Sequence, residues 1–160
     1  MIDDLQGYNR IKFEAQQFYS SIGHVRSPAL NQDIFFSSEG FNHIIFKNSR
    51  SERERPSQIM RLRLLPLACK LIGLSTTYQE FEEILQSFVI KRHKRKLLVT
   101  QSVKYWGIIA IIEGRKIKVI IRKIGGGGKL YFWSIIPAWV TNRYRDSKFI
   151  STMKGQPAED

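Results

Sequence analysis

The 160-residue sequence predicts an α+β fold, with N-terminal helices packed on a curved antiparallel four-stranded sheet, and three features predict it. Residues 3–20 and 57–74 carry apolar side chains at helical spacing. Residues 115–137, RKIKVIIRKIGGGGKLYFWSIIP, alternate with the two-residue period of a strand on either side of four glycines. The helical stretches come first and the extended ones follow, which segregates helices from sheet. At this length one core is expected, burying roughly 68 to 70% of the unfolded surface. The expected organisation is a single domain over residues 1–150, with an N-terminal helix and loop over 1–32, a core over 33–140, and a flexible tail over 151–160.

The first helix, residues 3–20, places Leu5, Tyr8, Ile11, Ala15, Phe18 and Tyr19 on one side and puts acids in its first turn, where the helix dipole favours them. Residues 23–31, with Pro28, His24 and no periodicity, read as a loop. A short extended piece follows at 33–37, and Ser38 is a suitable N-cap for a helix over 39–50. Residues 51–56, SERERP, form a charged linker that stops before its proline. Residues 57–74 form a buried helix, distorted at Pro66, from which Arg61 and Arg63 face outward. Residues 76–88 alternate early like a strand while their glutamates and leucine suit a helix equally well, and the strand is the reading taken. A solvated loop follows over 91–96, KRHKRK, and a long strand over 99–112 that turns at Glu113-Gly114 into the basic hairpin. Residues 141–148, with Arg143, Tyr144 and Arg145, follow the last strand.

Charge is distributed unevenly. The net charge is +12, and residues 91–129 alone hold twelve Lys or Arg against one acid, Glu113. A cationic field this dense favours a polyanion, because neutralised phosphates release counterions. The single cysteine, Cys69, excludes an internal disulfide and a cysteine-based zinc site, and its apolar setting suits a buried thiol. Three widely separated histidines lack metal-ligand spacing, so no metal and no cofactor is expected. Met1 is followed by Asp3 and Asp4 rather than by a basic and then apolar run, and no apolar run approaches the ~20 residues of a membrane span, so the expected location is the cytoplasm.

In EGFNHIIFKNSR, His43, Lys47 and Arg50 stand at helical spacing on one face of the expected helix. A histidine moves protons near neutral pH, a lysine balances negative charge, and an arginine grips phosphate oxygens with two donors. On the hairpin, Lys116, Lys118 and Arg122 share a face expected to meet water. Leu130, Phe132, Ser134 and Ile136 share a face of the last limb, so strict alternation sends Ser134 one way and Tyr131 and Trp133 the other. The two aromatics suit either core packing or stacking on a base, the latter worth about 1 to 3 kcal/mol.

The helical FNHIIFK, the apolar helix after it and KIKVIIRKIGGGGKLYFWSIIP together resemble the phage-associated relatives of the barnase, EndoU, colicin and RelE group of nucleases, in which an ending close to V-I-I-R, G-G-K and F-W-S-V is common. The resemblance covers roughly residues 33–140 and departs from the pattern in the KRHKRK insertion and the long first and second apolar helices. It implies a RelE/barnase-like sheet and a toxin-type ribonuclease that needs no metal, its substrate's 2′-hydroxyl attacking the adjacent phosphorus to leave a cyclic phosphate. It further implies His43 as general base or acid, Lys47 as a cation beside it, Arg122 as phosphate clamp and Ser134 as an orienting hydroxyl. RNA contacts are then expected from Arg50, Lys91, Arg92, Lys94, Arg95, Lys96, Lys116, Lys118 and Lys129. The implied partners are tRNA or mRNA and an acidic antitoxin or immunity protein. The alternative is a non-catalytic basic module that binds RNA or DNA.

Overall fold

A computed structural model describes residues 2–48 and 51–137 of the chain. Among them are three helices, α1 (Ile2–Ile22), α2 (Ser38–Ile45) and α3 (Arg55–Leu74), and six strands, β1 (His24–Ser27), β2 (Gln32–Phe35), β3 (Glu80–Arg92), β4 (Arg95–Ile112), β5 (Arg115–Ile124) and β6 (Leu130–Pro137). The class is α+β, but the sheet is not the four-stranded antiparallel one expected. It has six strands in the order β1-β2-β6-β5-β4-β3, and β2 runs parallel to β6. The stretch read as a loop over 23–31 holds β1 and its turn into β2, with left-handed Asn31 at the reversal. A polar four-residue edge strand, HVRS, offers little alternation by which to see it.

The core lies between the helices and one face of the sheet. Tyr19, Phe41, Ile44, Leu65, Ile72, Val119, Ile121 and Phe132 are buried there together. In α3 the stripe Gln58, Arg61, Leu65, Ala68 and Ile72 recurs every three or four residues and points inward. Arg61 therefore faces in, not outward as expected, whereas Arg63 is exposed. Pro66 stays within the helix on its exposed side and Pro56 lies in the first turn, where its missing N–H is not needed. No helix among the described residues is long and apolar enough to cross a membrane. Cys69 is half-buried, and burial pushes its thiol up to about 11.

Where β2 ends after pairing Ile34 with Leu130 and Phe35 with Tyr131, α2 takes its place beside β6. The approach is close: a Cβ built on Gly40 would lie 2.5 Å from the Phe132 carbonyl oxygen and 2.5 Å from the Tyr19 hydroxyl. Tyr19 donates that hydroxyl to the Ser37 carbonyl at 2.6 Å, tying α1 to the start of α2, and Ser37 rather than Ser38 is the N-cap residue. The helix stops at Ile45, not at residue 50. Phe46 turns extended and bridges to Glu52, and the Arg53 N–H donates to the Ile45 carbonyl. This early stop removes Lys47 from the helical face of His43.

KRHKRK is not a loop but the end of the β3–β4 hairpin, where His93 and Lys94 form a two-residue turn with both φ positive, 52° and 63°. Glu113-Gly114 is a second such turn, with φ 49° and 75°. Residues 141–148, the tail over 151–160 and Arg50 lie outside the described residues.

Candidate active site

The second face of the sheet buries Val103, Tyr105 and Ile120, with Trp133 and Ile136 packed against them. The face of β5 expected to meet water is therefore covered. Lys118 is 1% exposed, its ammonium 3.0 Å from a Glu80 carboxylate oxygen, and Arg122 is 6% exposed. Lys118 is thus a buried pair member rather than a surface contact for RNA.

Trp133 owes its position to an irregularity that the two-residue period does not show. Ile120 pairs with Ser134 and Ile121 with Phe132, so Trp133 is an extra residue in β6, a bulge. The bulge lets Ser134 and Trp133 both join one constellation, whereas strict alternation had set them against each other. Ser134 is fully buried and accepts a hydrogen bond from Arg61 Nη1 at 2.9 Å. The Trp133 indole stacks on the His43 imidazole, with ring centroids 4.1 Å apart and planes 15° apart, and the Arg122 guanidinium carbon lies 3.5 Å from the indole centroid. Its Nε1–H finds no acceptor among the described residues.

Arg53 grips His43 twice. Its Nε donates to the His43 carbonyl at 2.9 Å and its Nη2 lies 3.2 Å from His43 Nε2. A guanidinium can only donate, so Nε2 carries the lone pair and Nδ1 the proton. Burial, followed by the positive charges of Arg53, Arg61 and Arg122, depresses the imidazole to about 3. His43 is therefore neutral at pH 7.

Each arginine arrives from a different element. Arg53 precedes α3 and is held by the buried Gln58, whose Nε2 donates to the Arg53 carbonyl at 2.6 Å and to Glu52 at 2.9 Å, while the Tyr8 hydroxyl donates to Gln58 Oε1. Arg61 comes from α3 and also donates to the Ile135 carbonyl at 3.1 Å. Arg122 comes from β5, beside Tyr105, and its Nη2 is 2.9 Å from Glu39 Oε2 in the first turn of α2. The Glu39 side chain is 70% exposed, so this counter-ion is open to exchange with a dissolved anion.

Of the four expected catalytic residues, His43, Arg122 and Ser134 come together and Lys47 does not: it is exposed beyond the helix, its main-chain N–H donating to the Ser51 carbonyl. Lys91, Arg92, Lys94, Arg95 and Lys96 are exposed at the end of the β3–β4 hairpin, and Lys116 is partly buried on β5. Lys129 is exposed, its ammonium 4.4 Å from the Phe35 ring centroid. Sequence reasoning missed Arg53, Arg61 and Glu39. Only Arg61 left a signal, an arginine on the apolar stripe of a buried helix.

Among the described residues, no group of three or more His, Cys, Asp or Glu could hold a metal ion. Chemically, the arrangement puts a neutral imidazole and the Arg122 guanidinium against one indole, with Arg53 on the imidazole, Arg61 on the buried Ser134 hydroxyl and the exposed Glu39 carboxylate on Arg122. Comparison of the chain with protein-family models, with curated proteins and with solved structures gives no match.

Proposed function

We propose that this chain is a toxin-type ribonuclease that cleaves RNA without metal and leaves a 2′,3′-cyclic phosphate, acting in the cytoplasm under the control of an acidic antitoxin or immunity protein. The observation that carries the reading is geometric: Arg53 holds His43, His43 and Arg122 both lie against the Trp133 indole, and Arg61 holds the adjacent Ser134. Guanidinium forks match phosphate oxygens, and a cluster of like charges gains most from an anion placed among them.

In this reading a phosphodiester replaces Glu39 at Arg122, and a phosphate oxygen takes over the Arg53 donor that now occupies Nε2. The added negative charge lifts the imidazole toward its ordinary range, so His43 becomes a stronger base as substrate arrives. It takes the 2′-hydroxyl proton while the 2′-oxygen bonds to phosphorus. The bond from phosphorus to the 5′-oxygen breaks, and that oxygen is protonated by water. The arginines stabilise the extra charge on the phosphorane-like transition state, a contribution of about 3 to 4 kcal/mol for one well-placed donor. Arg61 acts partly through Ser134, whose hydroxyl it orients.

Incubation of the protein with total RNA in chelator-treated buffer, read for cyclic phosphate ends, tests this. Wild type should cleave, and His43→Ala and Arg122→Ala should not, with circular dichroism showing that each variant assayed is folded. Full cleavage by the double variant would overturn the assignment. The acidic partner follows from the cationic surface, and a co-purified partner that proved basic would exclude it.

One observation favours a second reading. Nε2 is occupied by Arg53 and Arg122 is already paired with Glu39, while the cations of the β3–β4 hairpin stand open to water. A non-catalytic RNA- or DNA-binding module would look this way, and would bind without cutting at any protein concentration.

A further inference from the structure

The β3–β4 hairpin outruns the sheet. The last β4–β5 pair is Val103 with Ile124, yet β3 and β4 continue together from Leu85 opposite Ser102 to Arg92 opposite Arg95. These eight pairs make a two-stranded ribbon about 26 Å long, at about 3.3 Å per residue. Isolated two-strand ribbons are marginal in water, so a chain that keeps one this long has a use for it.

The ribbon joins the sheet beside the site. Tyr105, two residues inside its base, pairs with Arg122, and its hydroxyl donates to Gln86 on the ribbon at 2.9 Å. Counting in twos from Tyr105 along β4 gives Val103, Gln101, Val99, Leu97 and Arg95, so the tip arginine shares a face with the site. Arg92, opposite Arg95, shares it too. Lys91 and Lys96 face the other way, so the right-handed twist of a free ribbon still leaves cations toward the path from the site. No Asp or Glu occurs between Glu83 and Glu113.

We propose that this ribbon is a nucleic-acid arm along which an RNA strand runs outward from the His43–Arg122 site, so that the protein selects RNA long enough to reach the cationic tip. The inference rests on the reading of that site as the seat of the scissile phosphate. Ten residues separate Tyr105 from Arg95, up to about 33 Å, which is roughly ten nucleotides at the ~3.4 Å per phosphate of a stacked strand. A dinucleotide fills the site and never touches the tip. Half-buried Phe88 lies on the same face as Arg92 and offers a ring to a base on the way.

The test uses the full chain carrying His43→Ala, which holds RNA without consuming it, and fluorescence anisotropy at several salt concentrations. The probes are a dinucleotide and a single-stranded RNA of about 20 nucleotides, twice the estimated reach. The second variant adds Lys91→Gln, Arg92→Gln, Lys94→Gln, Arg95→Gln and Lys96→Gln. With single-strand slopes of about 0.7 per neutralised phosphate, removing five cations should flatten the salt dependence for the long RNA by about 3.5 and weaken its binding several hundredfold near 0.15 M salt. The preference for long over short RNA should vanish with it. Should the five changes disturb folding, replacing residues 87–100 by Asn-Gly closes the hairpin at Gln86 opposite Gln101 and makes the same prediction.

Affinity and slope for the long RNA within twofold of the parent would overturn the arm. So would a change in oligomeric state with RNA binding unaltered, because Leu85, Val89 and Leu98 form an exposed apolar stripe on the opposite face that would then be the working surface. Cleavage is measured separately on wild type. Arm-dependent binding without cleavage defeats the ribonuclease reading and leaves the arm, whereas cleavage with arm-independent binding does the reverse.

Discussion

Arg122 and the arginines at the ribbon tip carry the same charge in opposite surroundings. Arg122 is packed against an indole and paired with Glu39, while Arg92 and Arg95 stand in water. A buried charge must be matched where it sits, whereas an exposed one is already solvated and contributes little to the fold. Substitutions at the sheet should therefore threaten stability and function together. Substitutions at the tip should touch function alone.

The largest effect is expected at Glu80→Ala. It leaves Lys118, whose side chain is 2% accessible, without the carboxylate 3.0 Å away. Removing one partner of a buried ion pair costs about 3 to 5 kcal/mol, and denaturant unfolding measures it. Loss of less than about 1 kcal/mol, the range of a surface pair, would show that water reaches Lys118 and blur the contrast between the two regions.

Gly40→Ala comes next. The added methyl meets the Phe132 carbonyl and the Tyr19 hydroxyl at 2.5 Å, and the carbonyl cannot rotate away. The helix α2 must shift, at about 1 to 3 kcal/mol, and carry His43 off Trp133. The near-ultraviolet circular dichroism of the stacked indole should weaken and, on the proposed ribonuclease reading, RNA cleavage should fall with it. An unchanged spectrum with cleavage lost would detach the stack from the mechanism.

These two positions also show what was readable before the structure. The period of α3, the Glu113-Gly114 turn and the strand pair β5 and β6 follow from local pattern. Gly40, Arg61 and the Trp133 bulge do not, because each is set by a partner distant in the chain: a β6 carbonyl, Ser134 and the register of β5. The spacing that groups Lys47 with His43 presumes a helix running to residue 50. The Phe46–Glu52 bridge that ends it at Ile45 is a tertiary choice. The constellation was thus legible as residue types and largely illegible as contacts.

The dependence of stability on pH sharpens the comparison on the side of the site. His43 is depressed from 6.5 to about 3, so between those values the unfolded chain binds a proton that the folded chain refuses. Stability therefore rises with pH through this window, is complete above about 6.5, and is lost as pH falls toward 3. At about 1.4 kcal/mol per unit before discounting for partial exposure, one unit of acidification below 6 should cost roughly 1 kcal/mol. His43→Phe keeps a ring against Trp133 and cannot titrate, so its unfolding free energy should lose this slope. An unaltered slope would assign the acid sensitivity to carboxylates instead.

The smallest expected effect lies at the tip and is informative because it is small. Replacing Lys94 and Arg95 with Gln removes two charges from exposed positions in and beside the hairpin turn, where surface changes usually stay within about 0.5 kcal/mol. Mutual repulsion along KRHKRK makes a slight gain in stability the expected sign, larger at low salt where screening is weak. Lys94 also occupies the left-handed region, at φ 63°, so Lys94→Gly loses the same charge as Lys94→Gln and should stabilise by a further amount of about 0.5 to 1 kcal/mol for a backbone reason that salt does not touch. Comparing the two variants across ionic strength separates charge from conformation. If both destabilised by more than about 1 kcal/mol, the ribbon would be part of the folded core's support and not an appendage to it.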